Sequence, residues 1–169
     1  VYSTSSNPTT ADTKVTASGT TGSFTTTLNG LTPGTTYYVR AYAANSVGTS
    51  YGSEISFTTS VVEPTVTTSS ISTITLNGAT AGGNVTSDGG AAISERGVVY
   101  STSSNPTTAD TKVTSSGTTG TFTVTLNGLT AGTTYHVRAY ATNSAGTSYG
   151  SDQSFTTLNI PTVTTTAAS

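Results

Sequence analysis

Residues able to do acid–base or nucleophilic chemistry are few and scattered in this sequence. The seven acids are Asp12, Glu54, Glu63, Asp88, Glu95, Asp110 and Asp152, and the one histidine is His136. Hydrolysis by paired carboxylates needs two acids in one cleft, and a nucleophilic triad needs a base beside the nucleophile. His136 falls on a strand face that alternation predicts to be exposed. The sequence therefore predicts a protein that is not an enzyme.

Metal and cofactor sites are judged from the same residues. Cysteine is absent, which excludes disulfides and thiolate ligands. Calcium takes about six to eight oxygen ligands, several of them from carboxylates. Glu63 and Asp88 are isolated acids, and an Asp before Gly-Gly is commonly a turn former. We therefore expect no metal and no cofactor.

Tyrosines beside glycine or arginine are the remaining candidates for ligand contact. Two of them stand in Gly-Thr-Ser-Tyr-Gly loops, where the ring either contacts a ligand or tucks against the end of the domain. Two others alternate with Arg40 and Arg138 on a predicted outward face. There a guanidinium either offers a cation–π platform to sugars or covers the sheet with its aliphatic stem. These candidates are Tyr51, Tyr149, Tyr42 and Tyr140.

The composition narrows the range of partners. Only 7% of the residues are charged and the net charge is −2, so no basic field favours nucleic acid or acidic lipid. Asp110 and Lys112 are expected to form a solvated local ion pair. No apolar run reaches the roughly 18–20 residues that cross a bilayer, so no membrane insertion is expected in this segment. The chain has 44 Thr, 25 Ser and only two Lys. Because this surface is rich in hydroxyl groups and poor in lysine, we expect an extracellular protein.

The elements that would position these residues are repeated along the chain. Residues 1–59 realign on 99–157 with a period of 98 residues, and nine positions differ. This predicts the C-terminal part of one repeat at 1–60, a complete repeat at 61–158 and the start of the next at 159–169. We expect a segment of a longer array, whose neighbouring repeats are its partners.

Period-two alternation predicts an all-β chain. Phe122, Val124 and Leu126 share one face of a strand, and Tyr135–Thr142 alternates in the same way. Short runs punctuated by Gly, Asn and Pro give about seven strands per repeat, which favours an antiparallel β-sandwich. The other predicted strands are Arg96–Ser101, a strand that includes Phe155, and weaker ones at Thr65–Thr68, Ile74–Leu76 and Gly83–Thr86.

Two stretches resemble the most diagnostic part of fibronectin type III domains. They run from Leu129 to Asn143 (LTAGTTYHVRAYATN) and from Leu31 to Ala41 (LTPGTTYYVRA). The resemblance implies a fibronectin type III or immunoglobulin-like sandwich. It also implies a "tyrosine corner", in which the phenol bonds to backbone at the turn between two strands. By resemblance Tyr37 and Tyr135 take this role. The chain departs from the family in having no tryptophan.

The first half of the complete repeat resembles a variant found in large surface proteins of Bacteroidota. The matching segments are Gly82–Gly90 (GGNVTSDGG) and Arg96–Ser101 (RGVVYS). The resemblance is to secreted and gliding-motility adhesins. It implies a non-catalytic stalk or filament on the bacterial cell surface, with surface glycans or other cell-surface proteins as further partners.

Two other functions stay open at this point. The first is a fibronectin-like spacer, or a weak carbohydrate-binding module, of a secreted polysaccharide-degrading enzyme. Near-identity between the copies favours the stalk, because long stalks grow by duplication. The second is self-assembly by strand exchange through the incomplete repeat at 1–60.

Overall fold

The computed structural model describes residues 1–165 and contains two compact units, Val1–Val62 (unit 1) and a second that begins at Glu63 (unit 2). Residues 166–169, the last of the segment predicted to open a further repeat, lie outside the described residues. The described part of that segment, 159–165, contains no strand. Among residues 1–165 there is no helix long and apolar enough to cross a membrane.

Unit 1 is made of short strands. They are β1 Tyr2–Ser3, β2 Thr36–Val39, β3 Tyr42–Ala44, β4 Thr49–Tyr51 and β5 Ile55–Thr58. One antiparallel sheet has the order β1-β2-β5, and β3 and β4 form a hairpin.

Unit 2 is an antiparallel β-sandwich of immunoglobulin-like, fibronectin type III-like form. Its strands are β6 Thr65–Thr68, β7 Gly78–Ser87, β8 Glu95–Ser101, β9 Thr111–Thr114, β10 Gly120–Asn127, β11 Thr134–Thr142, β12 Thr147–Tyr149 and β13 Gln153–Thr156. One sheet has the order β10-β7-β6. The other has the order β9-β8-β11, and β12 and β13 both pair with the far edge of β11.

The core of unit 2 lies between its two sheets. The predicted inward face of β10 is confirmed, because Phe122, Val124 and Leu126 are buried while their neighbours are exposed. Partners from the other strands complete the cluster, among them Val66, Val85, Val98, Val137, Ala139 and Phe155. β7 carries Gly83, where a Cβ atom would collide with Ala139. The glycine therefore allows the sheets to approach closely.

The sequence prediction differs from the structure along β7. The predicted strand Ile74–Leu76 is wrong, since these residues form no strand. The predicted strand Gly83–Thr86 is only the end of a ten-residue strand that begins at Gly78. Small residues (Gly78, Ala79, Ala81, Gly82) hid the first half of β7, because they carry little of the β-branched signal that marks a strand.

Chain entry and exit lie at opposite ends of unit 2. β6 begins at Thr65 opposite Ser87, the end of β7. β13 finishes at Thr156 opposite Thr134, the beginning of β11. At the exit, the Leu158 N–H donates to the carbonyl of Thr75, just before β7 begins. Unit 2 thus passes the chain along the full length of its strands.

The near-identical segments 22–29 and 120–127 differ in structure. Residues 120–127 form β10 on β7, whereas 22–29 form no strand. Phe122 is 6% exposed and its counterpart Phe24 is 51% exposed. Unit 1 has no counterpart of β6 and β7. Residues 22–29 therefore lack the neighbouring strand that would supply hydrogen bonds and the sheet that would cover Phe24.

Candidate functional site

The candidate aromatic residues meet a loop that crosses the outer face of the β9-β8-β11 sheet. This loop, residues 102–110, joins β8 to β9 and is called the strap here. Its Pro106 is fully buried. Two residues on the outward face of the sheet, Val99 and Tyr140, are also fully buried, although neither belongs to the core between the sheets. The strap therefore gives unit 2 a second, small buried layer.

Tyr149 anchors the strap to the last strands. Its Oη accepts a hydrogen bond from the backbone N–H of Thr108 at 3.0 Å and lies 2.9 Å from Thr108 Oγ1. The Arg138 guanidinium lies over the Tyr149 ring, 4.7 Å from its centroid, and donates to the carbonyl of Gly150 at 2.9 Å. The cation–π contact is therefore made within the unit. Thr108 occupies the Tyr149 hydroxyl and Arg138 covers one face of its ring.

Tyr140 requires a correction to the sequence analysis. It was expected on an exposed face as a ligand contact, but it is 0% exposed and cannot touch a ligand. Its hydroxyl donates to Glu95 Oε1 at 2.6 Å. Burial raises the pKa of Tyr140, and the bond to Glu95 adds to that effect. Alternation identified the face correctly but could not show that a loop covers it.

Lys112 binds Glu95, not the neighbouring Asp110. Its Nζ donates to Glu95 Oε1 at 2.9 Å. Asp110 instead accepts the backbone N–H of Thr107 at 2.9 Å, within the strap. The expected local ion pair is therefore wrong. The hydrogen bonds from Tyr140 and then Lys112 lower the pKa of Glu95.

Asp152 forms the second anchor of the strap. Its Oδ2 accepts the backbone N–H of Asn105 at 2.8 Å and lies 3.0 Å from His136 Nδ1. His136 was expected to be exposed, but its side chain is only 27% exposed because of this pairing. Asn105 has a φ of 56°, in the left-handed region that asparagine tolerates. The strap therefore turns at Asn105 and enters the buried Pro106.

The same arrangement recurs in unit 1. Thr10 donates its backbone N–H to Tyr51 Oη at 2.9 Å, and Asn7 donates to the carboxylate of Glu54. The bonds from Thr10 lower the pKa of Tyr51. Arg40 lies 4.7 Å from the Tyr51 ring centroid, and the Tyr42 ring lies 6.5 Å from that of Tyr51. The tyrosines considered for ligand binding therefore lie in or beside strap contacts in both units.

The tyrosine-corner bond that the resemblance implies is present in both units. Tyr135 Oη accepts the backbone N–H of Thr130, and Tyr37 Oη accepts that of Thr32, each at 3.1 Å. The bond from Thr32 lowers the pKa of Tyr37. Gly132, with a φ of 65°, makes the intervening turn possible. These tyrosines tie the turn to the strand that follows it.

An open groove of about 480 Å³ lies beside the tyrosine corner of unit 2. Tyr100 and Tyr135 meet edge-to-face in its wall, with ring centroids 6.1 Å apart. Asp110 and three hydroxyl residues, Ser101, Thr102 and Thr111, complete the polar lining. The groove contains no basic residue. A counterpart in unit 1 is lined by Tyr2, Tyr37 and Asp12.

Sequence analysis did not single out Arg96. The residue is 7% exposed, and its guanidinium donates to the carbonyls of Ser116, Thr118, Thr119 and Gly120 at 2.6–3.2 Å. It also lies 5.0 Å from the centroid of the Phe122 ring. Arg96 thereby fastens the turn that leads into β10. The feature of the sequence that could have identified it is an arginine that stands next to glycine and two valines in a predicted strand.

No set of three or more His, Asp or Glu residues is arranged to hold a metal ion within residues 1–165. The acids described above are instead engaged by backbone amides, a lysine, a histidine and a tyrosine.

Comparison with known proteins yields structural neighbours only. No family model and no curated protein matches the chain. It is similar to the sensor domain of the anti-sigma factor RsgI4 in Pseudobacteroides cellulosolvens, with 20% identity and a TM-score of 0.42 over 60% of this chain and 100% of that one. It is also similar to chicken CNTN1 domains FN1–FN3, with 20% identity and a TM-score of 0.46 over 77% and 45% of the two chains. It is similar as well to a human fourth FNIII domain, with 19% identity and a TM-score of 0.48 over 65% of this chain and 92% of that one.

Proposed function

We propose that this chain is part of a non-catalytic, extracellular tandem array that forms the stalk or filament of a large bacterial cell-surface adhesin. The observation that carries the proposal is the opposite placement of chain entry and exit in unit 2. A chain that enters at Thr65 and leaves at Thr156 gains the length of the strands with each repeat. β11 has nine residues, which corresponds to about 30 Å at roughly 3.3 Å per residue.

The internal use of the polar side chains supports the same function. The candidate tyrosines and several acids hold the strap and the turns of their own unit, as Tyr149 and Asp152 do in unit 2. A repeat built in this way serves as a stable spacer. The ligand-binding part of the adhesin would then lie elsewhere, and the partners of each repeat would be its neighbours.

The test is the length of longer arrays. Versions of the chain with one, two and four further copies of residues 61–158 after Leu158 are compared by small-angle X-ray scattering. We expect the maximum dimension to rise by about 30–40 Å with each copy, the length of one repeat along its strands. A dimension that grows only with the cube root of mass would contradict the stalk.

A spacer with weak sugar binding is the second candidate, and the groove beside Tyr100 favours it. Tyrosine rings stack on the apolar faces of sugars, and a carboxylate such as Asp110 accepts bonds from neighbouring sugar hydroxyls. The lack of basic residues in the lining points to neutral sugars. A repeated weak site would gain strength from multivalency.

A glycan microarray tests this candidate on the whole chain. The double variant Tyr2→Ala/Tyr100→Ala opens the groove wall in both units and should lose binding to neutral oligosaccharides. Val47→Ala, at an exposed position outside both grooves, is the control. Equal signals from all three proteins, or none from the unchanged chain, would eliminate the sugar-binding candidate.

A further inference from the structure

The strap joins strands that are not neighbours in the sheet. It leaves β8 and returns at β9, yet its Asn105 and Thr108 bond to Asp152 and Tyr149 on the far side of β11. These bonds therefore cross over β11 and reach the segment that carries β12 and β13. Unit 1 repeats the pattern between Asn7 and Glu54 and between Thr10 and Tyr51.

The segment that the strap holds consists of short strands, and it is also fixed by Phe155 in the core and by hydrogen bonds of Thr157 and Leu158 at the exit. β12 and β13 contain three and four residues, and the described pairing of both is to β11 alone. Gly150, Ser151 and Asp152 separate the two strands. Short edge strands are the parts of a sheet that open at low free energy. The chain leaves the unit just after β13, where Thr157 Oγ1 donates to the carbonyls of Thr130 and Thr133 and the Leu158 N–H donates to that of Thr75. Tension along the array therefore reaches β13 and the strap bonds once these exit contacts break.

The direction of the pull makes the strap bonds important. β13 runs antiparallel to β11 and ends at the exit end of the unit, so tension there acts along the strand. Sliding of β13 under this load must separate Asp152 from Asn105 before Tyr149 can leave Thr108. The buried Pro106 and the Arg138 contact on the Tyr149 ring resist movement of the anchors.

We propose that the strap is a mechanical clamp that sets how fast the repeat opens under tension from its C-terminal end, with Tyr149 and Asp152 as its anchoring residues. The inference rests on the proposed stalk function, because only a chain under tension needs such a clamp. Each repeat would carry its own clamp, as the equivalent contacts of unit 1 indicate.

The experiment is single-molecule force spectroscopy on the whole chain, held at its two ends at constant force. Unit 2 is recognised by the longer extension that it releases. Tyr149→Phe keeps the ring and removes the anchoring hydroxyl. The hydroxyl bonds to both the N–H and Oγ1 of Thr108. We therefore expect the unfolding rate at fixed force to rise at least about fivefold, the increase that corresponds to one hydrogen bond broken before the transition state. Asp152→Ala provides an independent second variant, for which a rise is also expected.

Tyr135→Phe is the control, since it also removes a tyrosine hydroxyl that accepts a backbone N–H, but one that lies outside the strap. The clamp requires a larger rate increase for Tyr149→Phe than for Tyr135→Phe. Equal increases for both, or an unchanged rate for Tyr149→Phe and Asp152→Ala, would overturn it. Failure of the clamp in this experiment would not change the maximum dimensions of the longer arrays measured by scattering. Conversely, arrays that fail to lengthen would contradict the stalk without changing the unfolding rates of these variants.

Discussion

The hydroxyl of Tyr140 donates a 2.6 Å hydrogen bond to Glu95 Oε1, and the same oxygen accepts a 2.9 Å hydrogen bond from Lys112 Nζ. Tyr140 lies on β11, Glu95 on β8 and Lys112 on β9, so three neighbouring strands are joined on the outer face of the sheet. The tyrosine is fully buried and the carboxylate half-exposed. The phenol must therefore stay protonated for the site to remain intact.

Alkaline pH should destabilise unit 2 through Tyr140. Its pKa is raised in the folded protein by burial and by the bond to Glu95, from a usual value of 10.0. A raised pKa means that its contribution to stability is complete below about pH 10 and is lost as the pH rises further. Tyrosinate absorbance and circular dichroism, recorded together against pH, should show one late phenol that ionises as the fold is lost.

Tyr140→Phe serves as the comparison for this titration. The variant should lack the late phenol and lose less of its stability between pH 10 and the end of the titration. If all nine tyrosines of the unchanged chain ionise before the circular dichroism changes, the buried role of Tyr140 is wrong.

The tyrosine corner offers a matched pair of hydroxyl deletions. Tyr135→Phe removes the acceptor of the Thr130 N–H and should lower the free energy of unfolding of unit 2 by about 1 kcal/mol. Tyr100 meets the Tyr135 ring, and its hydroxyl forms no hydrogen bond within the described residues. Tyr100→Phe should therefore change the same free energy by less than about 0.5 kcal/mol. Hydrogen exchange of β10 and β11 amides in urea measures both.

Arg96 should be far less tolerant of lysine than Arg138. The Arg96 guanidinium donates hydrogen bonds to backbone carbonyls between Ser116 and Gly120. A lysine ammonium cannot reproduce this planar arrangement of several donors. We expect Arg96→Lys to lower the free energy of unfolding by about 1.5–3 kcal/mol, the range for hydrogen bonds to charged groups. Arg138 donates to one carbonyl, that of Gly150, so Arg138→Lys should cost about 1 kcal/mol or less.

Hydrogen exchange again distinguishes the two arginine variants. Amides of residues 115–122 should lose protection in Arg96→Lys and keep it in Arg138→Lys. Equal protection in both proteins would show that the carbonyl contacts of Arg96 add no stability.

Strand positions were predictable where large apolar residues alternate with polar ones. Phe122, Val124 and Leu126 marked β10, and Thr65–Thr68 was predicted with the bounds that the structure has. β9 and the first half of β7 were missed, because Lys112 and the small residues near Ala79 carry little alternation. Period-two patterns depend on side-chain size, so a strand of small residues gives almost no signal.

The candidate site was predictable only in part, because burial on the outer face depends on a distant loop. Alternation placed Tyr140 outward, and its side chain does lie on that face. The strap bonds to Tyr149, which pairs with Tyr140 across β11 and β12, and the strap residues Pro106 and Asn105 look like ordinary turn residues in the sequence. Contacts such as Thr108 with Tyr149 span 41 residues, and no local pattern indicates them.

The two copies also allow a direct test of what makes residues 22–29 form a strand. Adding residues 61–98 ahead of Val1 supplies counterparts of β6 and β7. We expect residues 22–29 to pair with the added β7 in the register of β10, and Phe24 to become buried as Phe122 is. The physical reason is that an edge partner supplies both hydrogen bonds and a covering face. Hydrogen exchange should show new protection at 22–29.

The control for this fusion is the same added segment with Asp at the position of Val85. That side chain is 1% exposed in the core, so a buried unpaired carboxylate should prevent the added strand from packing. Protection at 22–29 should then remain at the level of the unchanged chain. No protection in the first fusion would mean that the nine differences between the copies, such as Thr26 for Val124, determine the structure instead. Strong protection in the control would mean that protection at 22–29 does not depend on packing of the added strand.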